Sequence, residues 1–254
     1  SDHWMKRSVR KRARFKKIRH APPGTAPGVI VVRHDALKPL VRCFSYGSSD
    51  FEELELSSVS DIRKFMADTA GKSRWVDIRG FGDHQFMEQL ADAFGIHRLQ
   101  MEDVVNVYQR PKAEDFPQHL FLISRAVRES DTGIQDDQLS IFLGSDFVLT
   151  VQERYDDLLD PVRDRLRSGK GFIRTHKADY LAYAIMDSAL DNLYPILERL
   201  GEKLDDLQEE LLTNPTRGAL DRVLFIKREL IVLRRNVWRE RDKMNDILRS
   251  AFPQ

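Results

Sequence analysis

The chain has one cysteine, Cys43, in 254 residues. This excludes an internal disulfide and any zinc site built from several thiolates, and it fits a reducing compartment. Neither charge is in surplus: 41 Lys and Arg stand against 40 Asp and Glu, so no net field draws in nucleic acid or an acidic substrate. Apolar runs such as Leu181 to Met186 are far shorter than the roughly 20 residues of a membrane helix. The first twenty residues hold no apolar stretch of secretory-signal length. No glycine-rich phosphate loop follows a strand-like run, there is no HExxH, and His84, His97 and His176 belong to no ligand-spaced pair. No Ser or Cys sits in a recognisable nucleophile turn. These absences argue against an enzyme, while the length suffices for a sizeable core in one or two domains.

What is present divides into three parts. Residues 1–28 read as a basic flexible arm and linker: Lys6 to Arg19 supply nine Lys or Arg, and Pro22-Pro23-Gly24 and Pro27-Gly28 then break the chain. A solvated tail and a contact with anionic lipid headgroups both fit the arm. Residues 29–178 alternate short β-type runs (29–32, 40–46, 75–78, 120–128, 139–143 and 147–151) with helical periodicity over 60–70 and 84–94. Gly144-Ser145-Asp146 is placed as a tight hairpin turn. The fold class expected is α/β, a mixed sheet sandwiched between helices. Residues 179–254 change character to a long antiparallel helical hairpin. Leu193, Leu197, Leu200, Leu204, Leu207 and Leu211 form one seam, Thr213 to Thr216 a turn, and Val223, Ile226, Leu230, Leu233, Val237, Met244 and Ile247 a second seam that Glu240 interrupts. Pro195 is expected to kink the first arm. That arm, through Leu212, carries nine acids against Arg199 and Lys203, whereas the second carries ten basic residues against five acids.

The densest stretch is Gly95 to Asp115, GIHRLQMEDVVNVYQRPKAED. On a helical turn Met101, Val104 and Val105 share one side, leaving Glu102, Asp103 and Asn106 for the surface or a contact. Pro111 is expected to end the helix. Adjacent carboxylates on a short helix are hard oxygen donors of the kind magnesium takes, often with its waters retained. They also suit a plain solvated face, and the spacing alone leaves both open. His97, near the helix start, reads as structural.

Ile96-His97, Met101-Glu102-Asp103, Asn106 and Gln109-Arg110-Pro111-Lys112 together resemble the signature of the CorA family of magnesium transporters. The resemblance continues in Asp160-Pro161-Val162-Arg163, Gly171-Phe172-Ile173-Arg174 and Ala178-Asp179-Tyr180-Leu181-Ala182-Tyr183 followed by Asp187. It implies a cytoplasmic regulatory domain on the inner side of the cell membrane, from a homo-oligomer that is pentameric at full length. This portion would precede the stalk and membrane helices. It further implies that Asp103 meets a stalk acid of a neighbouring subunit across a hydrated, regulatory Mg2+, and that Glu102 with Asp187 forms a second site. Co2+ and Zn2+ are alternatives for the ion, and a zinc- or cobalt-transporting relative or a soluble metal-binding scaffold are alternatives for the function. A hydrolase using Glu102, Asp103 and a histidine ranks low for want of ligand spacing, and no nucleic-acid partner is expected because no basic-aromatic surface pattern is recognisable.

Overall fold

The computed structural model describes residues 27–251 apart from 132, 157, 214 and 215. The basic arm at residues 1–20 therefore lies outside the described residues, as does the centre of the expected turn at 213–216. In chain order come β1 (Leu40–Tyr46), β2 (Phe51–Leu56), α1 (Val59–Asp68), β3 (Ser73–Arg79), α2 (His84–Phe94), α3 (Arg98–Val105) and β4 (Lys112–Asp115). There follow β5 (Leu120–Ser130), β6 (Gly133–Leu143), β7 (Phe147–Gln152), α4 (Asp160–Ser168), α5 (Ala178–Asp191), α6 (Leu193–Thr213) and α7 (Arg217–Ala251). The strands make one seven-stranded sheet in the order β2-β1-β3-β7-β6-β5-β4. Only β3 and β7 run parallel; every other neighbouring pair is antiparallel. The mixed sheet clothed by helices and followed by long C-terminal helices is the architecture expected.

Strand alternation assigns each helix to a face. Val41, Cys43, Val76, Ile78, Phe121, Ile123, Phe142, Leu149 and Val151 point to one side, where Ile62 and Phe65 of α1, Met87 and Leu90 of α2, and Met101 and Val104 of α3 cover them. Phe44, Tyr46, Trp75, Leu122, Leu139, Ile141 and Val148 point to the other, under Val162 and Leu166 of α4 and Leu181 and Ile185 of α5. A period of two on the strands and near four on the helices thus makes two apolar layers around one sheet. Within the second layer, buried Arg163 donates from Nε and Nη2 to Asp77 Oδ2 at 3.0 and 2.7 Å. Asp77 Oδ1 accepts from Thr150 Oγ1 at 2.9 Å, and Thr150 Oγ1 accepts from Trp75 Nε1 at 2.9 Å. On the opposite face, burial, with the Asp77 carboxylate behind it, pushes the Cys43 thiol up to about 12.

Several expectations change. Residues 29–32 alternate as a strand would, with Ile30 buried and Val29 and Val31 exposed, but among the described residues no strand pairs with them and they run as irregular chain. Edge strands β2 (FEELEL) and β4 (KAED) appear where acids and a lysine hide the apolar pattern; such charges are common on edges, where they discourage pairing with other chains. Helix α3 stops at Val105 with Asn106 as its cap, five residues before Pro111, which instead leads the extended chain into β4. The first arm of the hairpin is two helices, broken at Asn192. Pro195, third in α6, has no N–H to carry the ladder across that point, and so the expected kink is a break. Helix α5 belongs to the sheet layer, and α6 and α7 form the antiparallel pair.

The second seam is also rotated. Ile226, Glu229, Leu233, Asn236, Glu240 and Lys243 of α7 are buried, whereas Leu230, Val237 and Met244 are 40, 44 and 38% exposed. The cause lies on β5, which β4 covers only from Leu120 to Ile123. Beyond that point α7 supplies the missing edge partners. Glu240 Oε1 accepts the Arg125 backbone N–H at 2.7 Å, and Asn236 Nδ2 donates to the Arg125 carbonyl at 3.3 Å. Lys243 pairs with the other Glu240 oxygen and donates to Ser124 Oγ. Two side chains thereby stand in for a neighbouring strand.

Candidate functional site

The acidic segment is held at both ends. Gly95, in the left-handed region at φ 62°, closes α2 and turns the chain toward α3. His97 then caps α3: its Nδ1 accepts from Leu99 N at 3.2 Å, while Gln100 Oε1 accepts from His97 N at 2.9 Å. This is a reciprocal N-terminal cap, so His97 is structural, as expected. Gln100 is buried and also bonds His119 at 3.0 Å; burial lowers the His119 pKa below the ordinary imidazole value. At the other end the orphan carbonyls of the last turn need donors. Gln138 Nε2 serves those of Asp103 and Val104 at 2.8 and 3.3 Å, and Arg125 Nη1 that of Val107 at 2.6 Å. Met101, Val104 and Val105 are buried against the sheet, and this seats Glu102 and Asp103 at the surface on a short helix that cannot slide.

Both carboxylates are half-exposed, and both already have partners. Glu102 Oε2 accepts the Gly28 N–H at 2.8 Å. Asp103 Oδ2 accepts from Lys112 Nζ at 2.7 Å, and the same ammonium donates to Glu114 Oε1 at 2.8 Å. Burial works against the charge on Lys112, but its hydrogen bonds to the Asp103 and Glu114 carboxylates, with their charges, outweigh it and hold the pKa above the usual lysine value. Lys112 and Glu114 are two apart on β4 and so share one side of it. The role of Lys112 and Glu114 was not evident in the sequence, because only folding of β4 beside α3 brings them to Asp103.

Asp187 lies elsewhere. It is carried by α5, on the opposite face of the sheet from α3. The structure therefore brings Glu102 and Asp103 together but not Asp187 with them, and among the described residues no three His, Cys, Asp or Glu side chains are grouped to hold a metal ion. Glu102 and Asp103 offer carboxylate oxygens, the donor type that suits a hard divalent cation.

Residues 71–254 match the family described as CorA-like Mg2+ transporter protein. The chain belongs to the CorA family. A cobalt/magnesium transport protein CorA of Thermotoga maritima is 31% identical over 234 residues, covering 91% of this chain and 65% of the relative. A zinc transport protein ZntB of Yersinia enterocolitica is 25% identical over 148 residues, covering 57% of this chain and 43% of that protein. In three dimensions the soluble domain of CorA from Methanocaldococcus jannaschii superposes with a TM-score of 0.66 at 17% identity, over 89% of this chain and 82% of that one, a likeness of fold. The chain thus spans about two thirds or less of the length of these curated CorA-family relatives. CorA-family proteins are ion transporters, and among the described residues no helix is long and apolar enough to cross a membrane.

Proposed function

We propose that this chain is the cytoplasmic regulatory domain of a CorA-type magnesium transporter, sensing intracellular Mg2+ through carboxylates at contacts between subunits and thereby gating passive influx of divalent cations. The observation that carries this reading is the Glu102-Asp103 pair, presented half-exposed on a helix capped at one end by His97 and Gln100 and tied at the other by Gln138 and Arg125. Rigidity of this kind keeps the carboxylates in place when a second acidic surface approaches. Two carboxylates roughly 5–6 Å apart at an effective dielectric near 20 repel by about 3 kcal/mol. A divalent cation bound between them supplies the opposite charge that turns this repulsion into cohesion.

Asp187 lies on the far face of the sheet from Glu102, so a site that uses both takes them from different copies of the chain, and the sensing unit is a homo-oligomer, a pentamer by family analogy. Low Mg2+ would leave the facing acids repelling and loosen the assembly, so that the metal favours the closed state. Magnesium is preferred to zinc because the donors are oxygen; the similarity to a zinc transport protein keeps zinc as the second reading. In the full-length protein, Asp103→Ala is expected to weaken Mg2+-dependent protection from limited proteolysis. Protection at unchanged Mg2+ concentration would remove Asp103 from the sensor.

A further inference from the structure

The ammonium of Lys112 occupies the place beside Asp103 where a cation would sit. It is 2.7 Å from Asp103 Oδ2 and 2.8 Å from Glu114 Oε1, and its side chain is only 26% exposed. Its backbone is fixed by the pairing of Lys112 with Ile123 at the start of β4, and its Nζ lies 5.4 Å from the centre of the Phe121 ring. Here, then, is a positive charge delivered by a strand to a carboxylate on a neighbouring helix, with an aromatic ring beside the ammonium.

We propose that Lys112 is a tethered counter-ion that competes with the divalent cation for Asp103 and so sets the concentration at which the site fills. The inference rests on Asp103 being a cation ligand. A dication on Asp103 Oδ2 with the ammonium still in place would put like charges side by side in a partly covered site, where water screens them incompletely. Arrival of the cation and departure of Lys112 are therefore one exchange. Glu114 makes the exchange feasible: it stands two residues along the same strand, already bonded to Lys112, and keeps the ammonium paired after Asp103 is given up. While Lys112 holds Asp103, the acid pair is partly neutralised and α3 is stapled to β4. Asp103 and Glu114 thus both favour filling of the site, one as the contested ligand and the other as the resting place of its competitor, while Lys112 opposes it.

The test uses Mn2+ as a paramagnetic stand-in for Mg2+, with the free aqua ion followed by electron paramagnetic resonance and Mg2+ added as competitor. Lys112→Met keeps the length of the stem and removes the charge; its half-saturating Mn2+ concentration is expected about tenfold below that of the parent, the loss of one partly buried ion pair. Glu114→Gln denies Lys112 its second partner and is expected to raise the half-saturating concentration. The full-length protein is used, and in either background Asp103→Asn is expected to abolish the saturable component that Lys112→Met shifts. If Asp103→Asn abolishes binding but Lys112→Met leaves the half-saturating concentration unchanged or raises it, the competition is overturned and the cation reading stands. If Asp103→Asn leaves binding untouched, or if neither parent nor Lys112→Met binds Mn2+ saturably, the cation reading falls and the competition with it.

Discussion

The two layers against the sheet and the seat of α7 on its edge are both buried, but they are built from different materials. Around the sheet the contacts are mainly apolar, and one polar exception, Arg163 with Asp77, is joined by Thr150 and Trp75 into a small buried network that reaches the surface only at Asp160. Beneath α7 the order is inverted: Ile226 and Leu233 are interleaved with Glu229, Asn236, Glu240 and Lys243, and the polar groups do the joining. Apolar layers are stabilised by area removed from water, a force without direction, and hold their place by close packing. A helix that replaces a strand's hydrogen bonds with side chains is fixed in register, because Glu240 and Asn236 meet the N–H and the carbonyl of one residue, Arg125.

Substitutions can sharpen or break this contrast. The largest effect is expected from Asp77→Ala, which takes the buried carboxylate from Arg163 and leaves it only Asp160; about 3–5 kcal/mol of stability is lost, measured by denaturant unfolding. Next is Glu240→Ala, which leaves the Arg125 N–H without its acceptor and the Lys243 ammonium with Ser124 alone, at about 2–3 kcal/mol. Its signature is local, a faster hydrogen exchange at the Arg125 amide with little change in β1 or β3; uniform acceleration throughout the sheet would erase the distinction between the two regions. The smallest compares two leucines of the same helix: Leu233→Ala should cost about 2 kcal/mol and Leu230→Ala less than about 0.5 kcal/mol. Equal costs would restore the seam read from the sequence.

Legibility followed the material of each region. Strands β1, β3, β5, β6 and β7 and the helices α1 and α2 are visible because apolar side chains repeat at the period of the element. Edge strands β2 and β4 are invisible for the same reason, since their residues are charged and their partners lie on one side only. The α7 seam was misassigned because heptad spacing picks out leucines, whereas the burying surface is the open edge of β5 and wants donors and acceptors. Likewise the acid pair and its structural His97 were legible locally, as an amphipathic turn with a cap. Lys112 was in plain view beside Pro111, but its engagement with Asp103 depends on β4 pairing with β5, which no local pattern announces. Asp187 carried no local signal that α5 lies across the sheet from α3.

The placement of Asp187 and Glu102 on opposite faces has a consequence for symmetry. A joint between these two acids uses one surface of the first subunit and a different surface of the second, so every subunit offers one of each. Such a joint is head-to-tail and does not place a twofold axis at its centre; its repetition closes only as a ring or runs on as a filament. Under the proposed sensing role, a closed ring would contain as many of these joints as subunits, each meeting the same ion concentration.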